Sequence, residues 1–362
     1  MPQARVGIYF AIKNIVGKKR KILLSPYTIH DVVNMVLCAG GIPEFIELEN
    51  GTCNLDPNKA IEQIDEETAA VMVTHLHGLG VDLNKLKTIC CSKGITLIED
   101  AAQAFGTIVN GSHVGTIGDI GIYSFGMYKN LNSFQGGMLV TKHKEIYEKI
   151  KNDIRDLPVL DNFSYLKKVL NAFVTDIVTF PLVFKHFTYK IFRFGHLKRV
   201  EFLNKRVRVE DNPRKKENIP NSYLKGMNNI QAEIILNNLK YVRNNNKKRI
   251  DFAKLYFNKL KKIPHIQIAP FHQDFEHTYS YYTIQYDKRD DLVDYLMFNG
   301  CDLAIQHIKN CADLECFKDY SKKLPIARST ARKTILLPCY SRYSETDIKR
   351  NVFYIEKYFK EH

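Results

Sequence analysis

Asp100, Ser124 and Lys129 are the side chains whose types and spacing could do chemistry together. The run Ile95-Thr-Leu-Ile-Glu-Asp100 is a buried-strand pattern that ends in a carboxylate, and open α/β sheets collect ligands at the carboxyl ends of their strands. Asp100 also suits a plain structural role as the N-cap of a helix from Ala101 onward, and Gln103 suits a solvated first turn. Asp119 to Phe125 reads as a neighbouring strand, and Ser124, Lys129 and the pair Gly136-Gly137 follow in quick order before another strand from Met138 to Thr141. A lysine on such a loop is ordinarily just solvated. As a set, however, one strand end offers a carboxylate while its neighbour offers a hydroxyl and an amine.

A cofactor that needs all three is pyridoxal 5'-phosphate. It requires an amine for a Schiff base and a carboxylate that keeps the pyridine nitrogen protonated, so that the ring can accept carbanion electrons. Its phosphate requires hydroxyl and backbone N–H groups of the kind found at helix N-termini. Lys129, Asp100 and Ser124 match these needs in type.

Such groups need a sheet to hold them. Apolar or β-branched runs at Lys21 to Ser25, Glu44 to Leu48, Ala70 to His75, Ile95 to Asp100, Asp119 to Phe125 and Met138 to Thr141 are interspersed with helical patterns such as Leu83 to Cys91. This predicts an α/β fold with a mostly parallel central sheet flanked by helices. Ile230 to Leu260 predicts one long helix, with Ile234, Ile235, Leu239 and Val242 on one face and a change of domain nearby. The expected division is a large cofactor-binding domain over 1–240 and a smaller C-terminal α+β domain over 241–362. The second contains a strand at Tyr279 to Tyr286, a helix at Asp290 to Phe298 ended by Gly300, and a last helix opened by Ser344 with Asp347 three residues on. Residues 157–220 read as an irregular, basic and aromatic insert.

Three segments carry a family resemblance: VTHLHGLGVDLNKL (Val73 to Leu86), LIEDAAQAFGTIVNGSHVGTIGDIGIYSFGMYKNLNSFQGGMLVT (Leu97 to Thr141) and MNNIQAEI (Met227 to Ile234). With EDAAQA, SFxxxKN and GG at their mutual spacing, the chain resembles the DegT/StrS-type sugar aminotransferases along almost its whole length. The resemblance implies the fold type I architecture of pyridoxal-phosphate enzymes. It implies that Lys129 carries the cofactor, that Asp100 pairs with the pyridinium, and that Gln103 faces the ring's phenolic oxygen or edge. Ser124 would hold the phosphate together with the backbone N–H groups of Ala4 and Arg5, and Asn130 would support the lysine loop. Ile29 takes the place of the aromatic that stacks on the cofactor in many members, with His30 next to it as a substitute.

The implied reaction moves an amino group, usually from glutamate, to a keto group of a nucleotide-linked deoxysugar for cell-surface polysaccharide or glycan biosynthesis. A homodimer with its active site at the subunit interface is implied as well. Three residues precede Ala4, where members usually carry a few tens. Leu224 stands where many have a polar residue that reaches the neighbouring subunit's site, and near Gln306-His307 the usual histidine is shifted by one. These departures suggest a catalytically degenerate relative as one alternative. A dehydratase of keto sugars is another, although such relatives carry histidine where this chain has Lys129.

Composition frames these readings. The 362 residues carry 53 Lys and Arg against 39 Asp and Glu, a net charge of +14 that attracts phosphates, acidic lipid or nucleic acid without choosing among them. A basic binding protein for membrane surfaces or nucleic acid is therefore the alternative from another class. Its carriers would be Arg193 to Arg208 and Arg214 to Lys216, with Phe192, Phe194 and Phe202 nearby, but no recognised nucleic-acid module accompanies them, so no nucleic-acid partner is expected. The eight cysteines lack paired CxxC spacing and suggest reduced thiols in a cytoplasmic protein. His75 and His77 lack a third ligand at suitable spacing, so no metal is expected. Val169 to Phe184 is apolar but interrupted, and Lys167, Lys168, Lys185, Lys190, Arg193, Lys198 and Arg199 surround it. Helices packed on the protein itself are the expectation there, with weak contact with an acidic membrane surface as the alternative, and no transmembrane span.

Overall fold

The computed structural model describes residues 1–200, 202, 213–272, 275–305 and 308–361. Its central sheet has six strands: β1 (Lys21–Leu24), β2 (Ile42–Phe45), β3 (Thr68–Thr74), β4 (Thr96–Asp100), β5 (Ile120–Ser124) and β6 (Gly137–Thr141). They lie in the order β2-β1-β3-β4-β5-β6, parallel throughout except for β6, which pairs antiparallel with β5. All seven residues of β3, TAAVMVT, are buried, because both faces of a parallel sheet are covered. Ile22, Leu24, Met72, Ile98 and Ile122 pack on one face with helices α1 (Ala4–Lys13) and α2 (His30–Cys38). Leu23, Val71, Val73, Leu97 and Tyr123 pack on the other with Leu86 and Cys90 of α3 (Asn84–Ser92). The alternation along each strand assigns these faces. The expected strand at Glu44 to Leu48 lies earlier, at β2, and Ile46 and Leu48 are buried just beyond it.

The segment expected to be irregular is helical through much of its length. Helices α4 (Asn162–Val178) and α5 (Tyr189–Leu197) form two arms joined through Phe180 to Thr188. Asp161 caps α4 by accepting a hydrogen bond from the Ser164 N–H at 2.8 Å, and Pro181 sits in a first turn, where its missing N–H costs nothing. The polar interruptions at Asn171 and Asp176 disguised this helix in the sequence, yet both are exposed and leave its periodicity intact.

Helix α6 (Asn229–Leu260) begins with a reciprocal capping box between Asn228 and Gln231. The expected domain change falls inside this continuous helix. Ile235 and Val242 pack with Phe125 and Leu131 of the lysine loop, whereas Ala253, Tyr256 and Leu260 pack with the second sheet. Leu239, expected on the same buried face, is 41% exposed. The second sheet is antiparallel, in the order β7 (Gln267–Ile268), β8 (Tyr281–Gln285), β10 (Thr334–Pro338) and β9 (Ala304–Ile305). Helices α7 (Arg289–Phe298) and α8 (Glu345–Glu361) cover it, and the Ser344 Oγ accepts from the Asp347 N–H at the start of α8.

Candidate active site

Parallel register builds the site. Thr74 on β3 lies beside Asp100 on β4, and Asp100 lies beside Ile122 on β5, so the three strands end together. Asp100 is buried, and its Oδ1 accepts from the Ala102 N–H at 3.1 Å. The alternative of a helix cap fails here, because Ala101 to Gly106 forms turns and no helix follows. Burial pushes the Asp100 carboxyl above its ordinary range, while the Ala102 N–H and the Lys129 charge pull it back only in part.

Lys129 sits on the loop between β5 and β6, with its backbone N–H donating to the Gly126 carbonyl. Burial lowers its pKa, Asp100 opposes that shift, and the Arg5 charge adds to it. Lys129 and Asp100 thus influence each other through space, and among the described residues no direct ion pair joins them. Asn130 anchors the loop. Its Nδ2 donates to the Phe105 carbonyl at 3.0 Å and to Asn246 Oδ1 of α6 at 3.1 Å.

The glycine pair explains how α1 reaches the site. Ser124 is the register partner of Gly137. A Cβ on Gly137 would come 2.7 Å from the Ala4 nitrogen and 2.9 Å from the Gln3 carbonyl carbon, so only glycine lets the start of α1 press against β6. Gly136 has φ +121°, and a Cβ there would also meet Met227. Ser124, Ala4 and Arg5 are thereby gathered beside one helix N-terminus, where the first N–H groups lack intrahelical acceptors and the dipole favours an anion. The Arg5 guanidinium pairs with Asp31 and lies 4.8 Å from the Tyr223 ring centroid. Burial raises the Asp31 carboxyl, but Lys216, Arg5 and Tyr223 outweigh it and hold it below its ordinary range.

Gln103 is not a solvated residue: its Oε1 accepts from the His77 N–H at 3.1 Å, and its carbonyl accepts from Ser280 Oγ at 2.8 Å. Ile29 lies at the start of α2 and is 40% exposed, with His30 half-buried beside Asp31. Leu224 packs near Val6 and Phe10. Gln306 and His307 lie outside the described residues, as do Lys205, Arg206 and Arg208 of the basic run.

Two residues stand at the site in roles that the sequence reading did not give them. His77 is buried at a positive φ of 59°, and burial, followed by the Lys129 charge, drives its pKa down to about 3. Glu99, next to Asp100, accepts from His75 Nε2 at 3.0 Å and from the N–H groups of Gly115, Ile117 and Gly118 at 2.6–2.7 Å. Burial raises its pKa, but His75 and these N–H groups win and hold it low. The other His75 nitrogen accepts from the Val81 N–H, so this ring is a strut inside the sheet edge. The signals available in the sequence were the HLHG step at a strand end and the position of Glu99 beside Asp100 in EDAAQA.

Residues 7–355 match the family described as the DegT/DnrJ/EryC1/StrS aminotransferase family. The spore coat polysaccharide biosynthesis protein SpsC of Bacillus subtilis (strain 168) is 25% identical over 355 residues, 94% of this chain and 80% of SpsC. GDP-perosamine synthase of Vibrio cholerae is 35% identical over 129 residues; that stretch is 36% of this chain and spans about a third, 35%, of the relative's length. PseC of Helicobacter pylori, an aminotransferase involved in the biosynthesis of pseudoaminic acid, shares the fold with a TM-score of 0.76 at 18% identity, over 100% of this chain and 86% of PseC.

Proposed function

The chain belongs to the DegT/DnrJ/EryC1/StrS aminotransferase family, and from that premise we propose that it is a cytoplasmic, pyridoxal 5'-phosphate-dependent aminotransferase. It takes an amino group from glutamate and transfers it to a keto group of a nucleotide-linked deoxysugar for cell-surface polysaccharide or glycan biosynthesis. It works as a homodimer with the active site completed at the subunit interface. The observation that carries this reading is the buried Asp100 carboxylate at the carboxyl end of β4, level with the end of β5 from which the Lys129 loop departs.

The donor set fits the cofactor. Asp100 is a buried carboxylate with no ion pair among the described residues, and a protonated ring nitrogen would supply the cation. Ser124 Oγ and the N–H groups of Ala4 and Arg5 suit the phosphate, in the close approach that Gly137 permits. When bound, the cofactor supplies an acceptor for the electron pair left on the substrate carbon. Lys129 Nζ, as a neutral amine, would hold and move the proton of that carbon, and the lowering of its pKa by burial favours the neutral form. Asp100 holds charge in place without moving. Asn130 keeps the lysine loop on Phe105 and Asn246, Gln103 orients the ring edge, and Ile29 offers an apolar face where a stacking aromatic would otherwise lie.

The test is direct. Full-length protein reconstituted with pyridoxal 5'-phosphate should absorb visible light and lose that absorbance on adding glutamate, and a panel of keto-sugar nucleotides should restore it for the true acceptor. Lys129→Ala should abolish the colour and the turnover while leaving the circular dichroism unchanged. Cofactor uptake with no response to glutamate would overturn the transferase reading.

A further inference from the structure

The two-armed insert turns apolar side chains outward. In α4, Phe163, Leu166, Leu170, Phe173, Val174 and Ile177 recur at helical spacing and form a stripe about 100° wide. They are between 47% and 79% exposed. Tyr165, on the other side of the same helix, is buried, so the helix is seated on the protein by one face and displays the other. The second arm repeats the arrangement, with Phe187, Ile191 and Phe194 at i, i+4 and i+7, each more than half exposed.

Charge says what such a surface meets. Residues 162–199 contain seven Lys or Arg and one acidic residue, Asp176, which is already paired with Arg342. Among the described residues, Lys167, Lys168, Lys185, Lys190 and Lys198 form no ion pair, whereas the α5 arm is tied down by Tyr189 donating to the Cys301 carbonyl and His196 pairing with Asp294. An aliphatic and phenylalanine stripe bordered by uncompensated lysines is the composition of a helix that lies in a bilayer interface. No helix among the described residues is long and apolar enough to cross a membrane. A second copy of this chain fits less well, because a two-fold contact would bring the same positive surfaces together.

We propose that residues 162–199 dock this protein on the surface of an anionic phospholipid bilayer. The apolar stripe enters the acyl boundary, and the lysines meet the headgroup phosphates. Docking neither uses nor depends on the cofactor site, so the aminotransferase reading and this one can fail separately.

The experiment is flotation of the full chain with vesicles of phosphatidylcholine alone, or with roughly 30 mol% phosphatidylglycerol added. The wild-type chain should float with the anionic vesicles, should largely stay behind with the neutral ones, and should be released by about 0.5 M salt. Phe173→Ser/Phe187→Ser and Lys167→Glu/Lys190→Glu should each cut the floated fraction at least about tenfold, with melting temperature and oligomeric state unchanged. Failure of the wild type to float at low salt overturns the proposal. So does a Phe173→Ser/Phe187→Ser variant that floats normally but changes oligomeric state in light scattering, which would give the stripe to a second copy.

Discussion

The carboxyl edge of the central sheet and the two-armed insert are built from similar material and arranged in opposite ways. At the sheet edge, Asp100, Glu99 and His75 are polar, buried and hydrogen-bonded, and apolar strands surround them on both sides. In the insert, apolar side chains stand in solvent, while among the described residues the lysines beside them form no ion pair. The sheet is covered by helices on two faces, so anything at its edge is either paired or expelled. The insert is seated by one face, and among the described residues nothing covers the other. Polar groups turned in mark a place built for chemistry; apolar groups turned out mark a place built for contact.

Substitutions can break or sharpen this contrast. The largest effect is expected at the sheet edge, where Asp100→Asn should lower kcat by about a hundredfold to a thousandfold with the fold intact, since a charge aimed at the reacting system is removed. Steady-state kinetics with glutamate would read it. In the core beneath, Ile122→Ala removes a fully buried side chain and should cost about 2–5 kcal/mol in urea unfolding. Gly137→Ala places a methyl against the backbone of Gln3 and Ala4, so α1 must move. The expected cost is about 1–3 kcal/mol, together with weaker retention of the cofactor phosphate in an equilibrium titration.

A pH effect follows from Glu99, whose folded pKa lies below its ordinary value. Its contribution to stability is complete above the ordinary glutamate range and is lost as acidification passes through the lower folded value. Urea midpoints compared at about pH 6 and about pH 4 should therefore fall more for the wild-type chain than for Glu99→Gln. The smallest effect belongs to the insert. Phe173→Ser should change global stability by no more than about 0.5 kcal/mol, because Phe173 is 62% exposed. A larger loss would mean that the stripe is supporting the fold, and the contrast between the two regions would fail.

Much of the scaffold could be read from local pattern. Buried runs at Ala70 to His75 and Ile95 to Asp100 gave β3 and β4, and Asn229–Leu260 closely follows the helix expected from Ile230 to Leu260. The insert was misread because single polar residues and a proline interrupt its apolar run, although the helical spacing of Phe163, Leu166, Leu170 and Phe173 was present all along. Of the candidate site, residue types and order were visible in EDAAQA and SFxxxKN. The partners were not. Gln103 meets the His77 backbone, Asn130 meets Asn246, and Glu99 is satisfied by three N–H groups from a later turn.

The sequence by itself determined which segments would be strands and helices, and which acid, hydroxyl and amine would compete for one sheet edge, since periodicity and residue chemistry are local properties of the chain. Tertiary structure decided the rest. It chose which apolar stripe would be covered, brought α1 within reach of Gly137, and set Asp100 and Lys129 against each other. Those outcomes depend on distances between residues far apart in sequence, and burial and electrostatic shifts exist only once such distances are fixed.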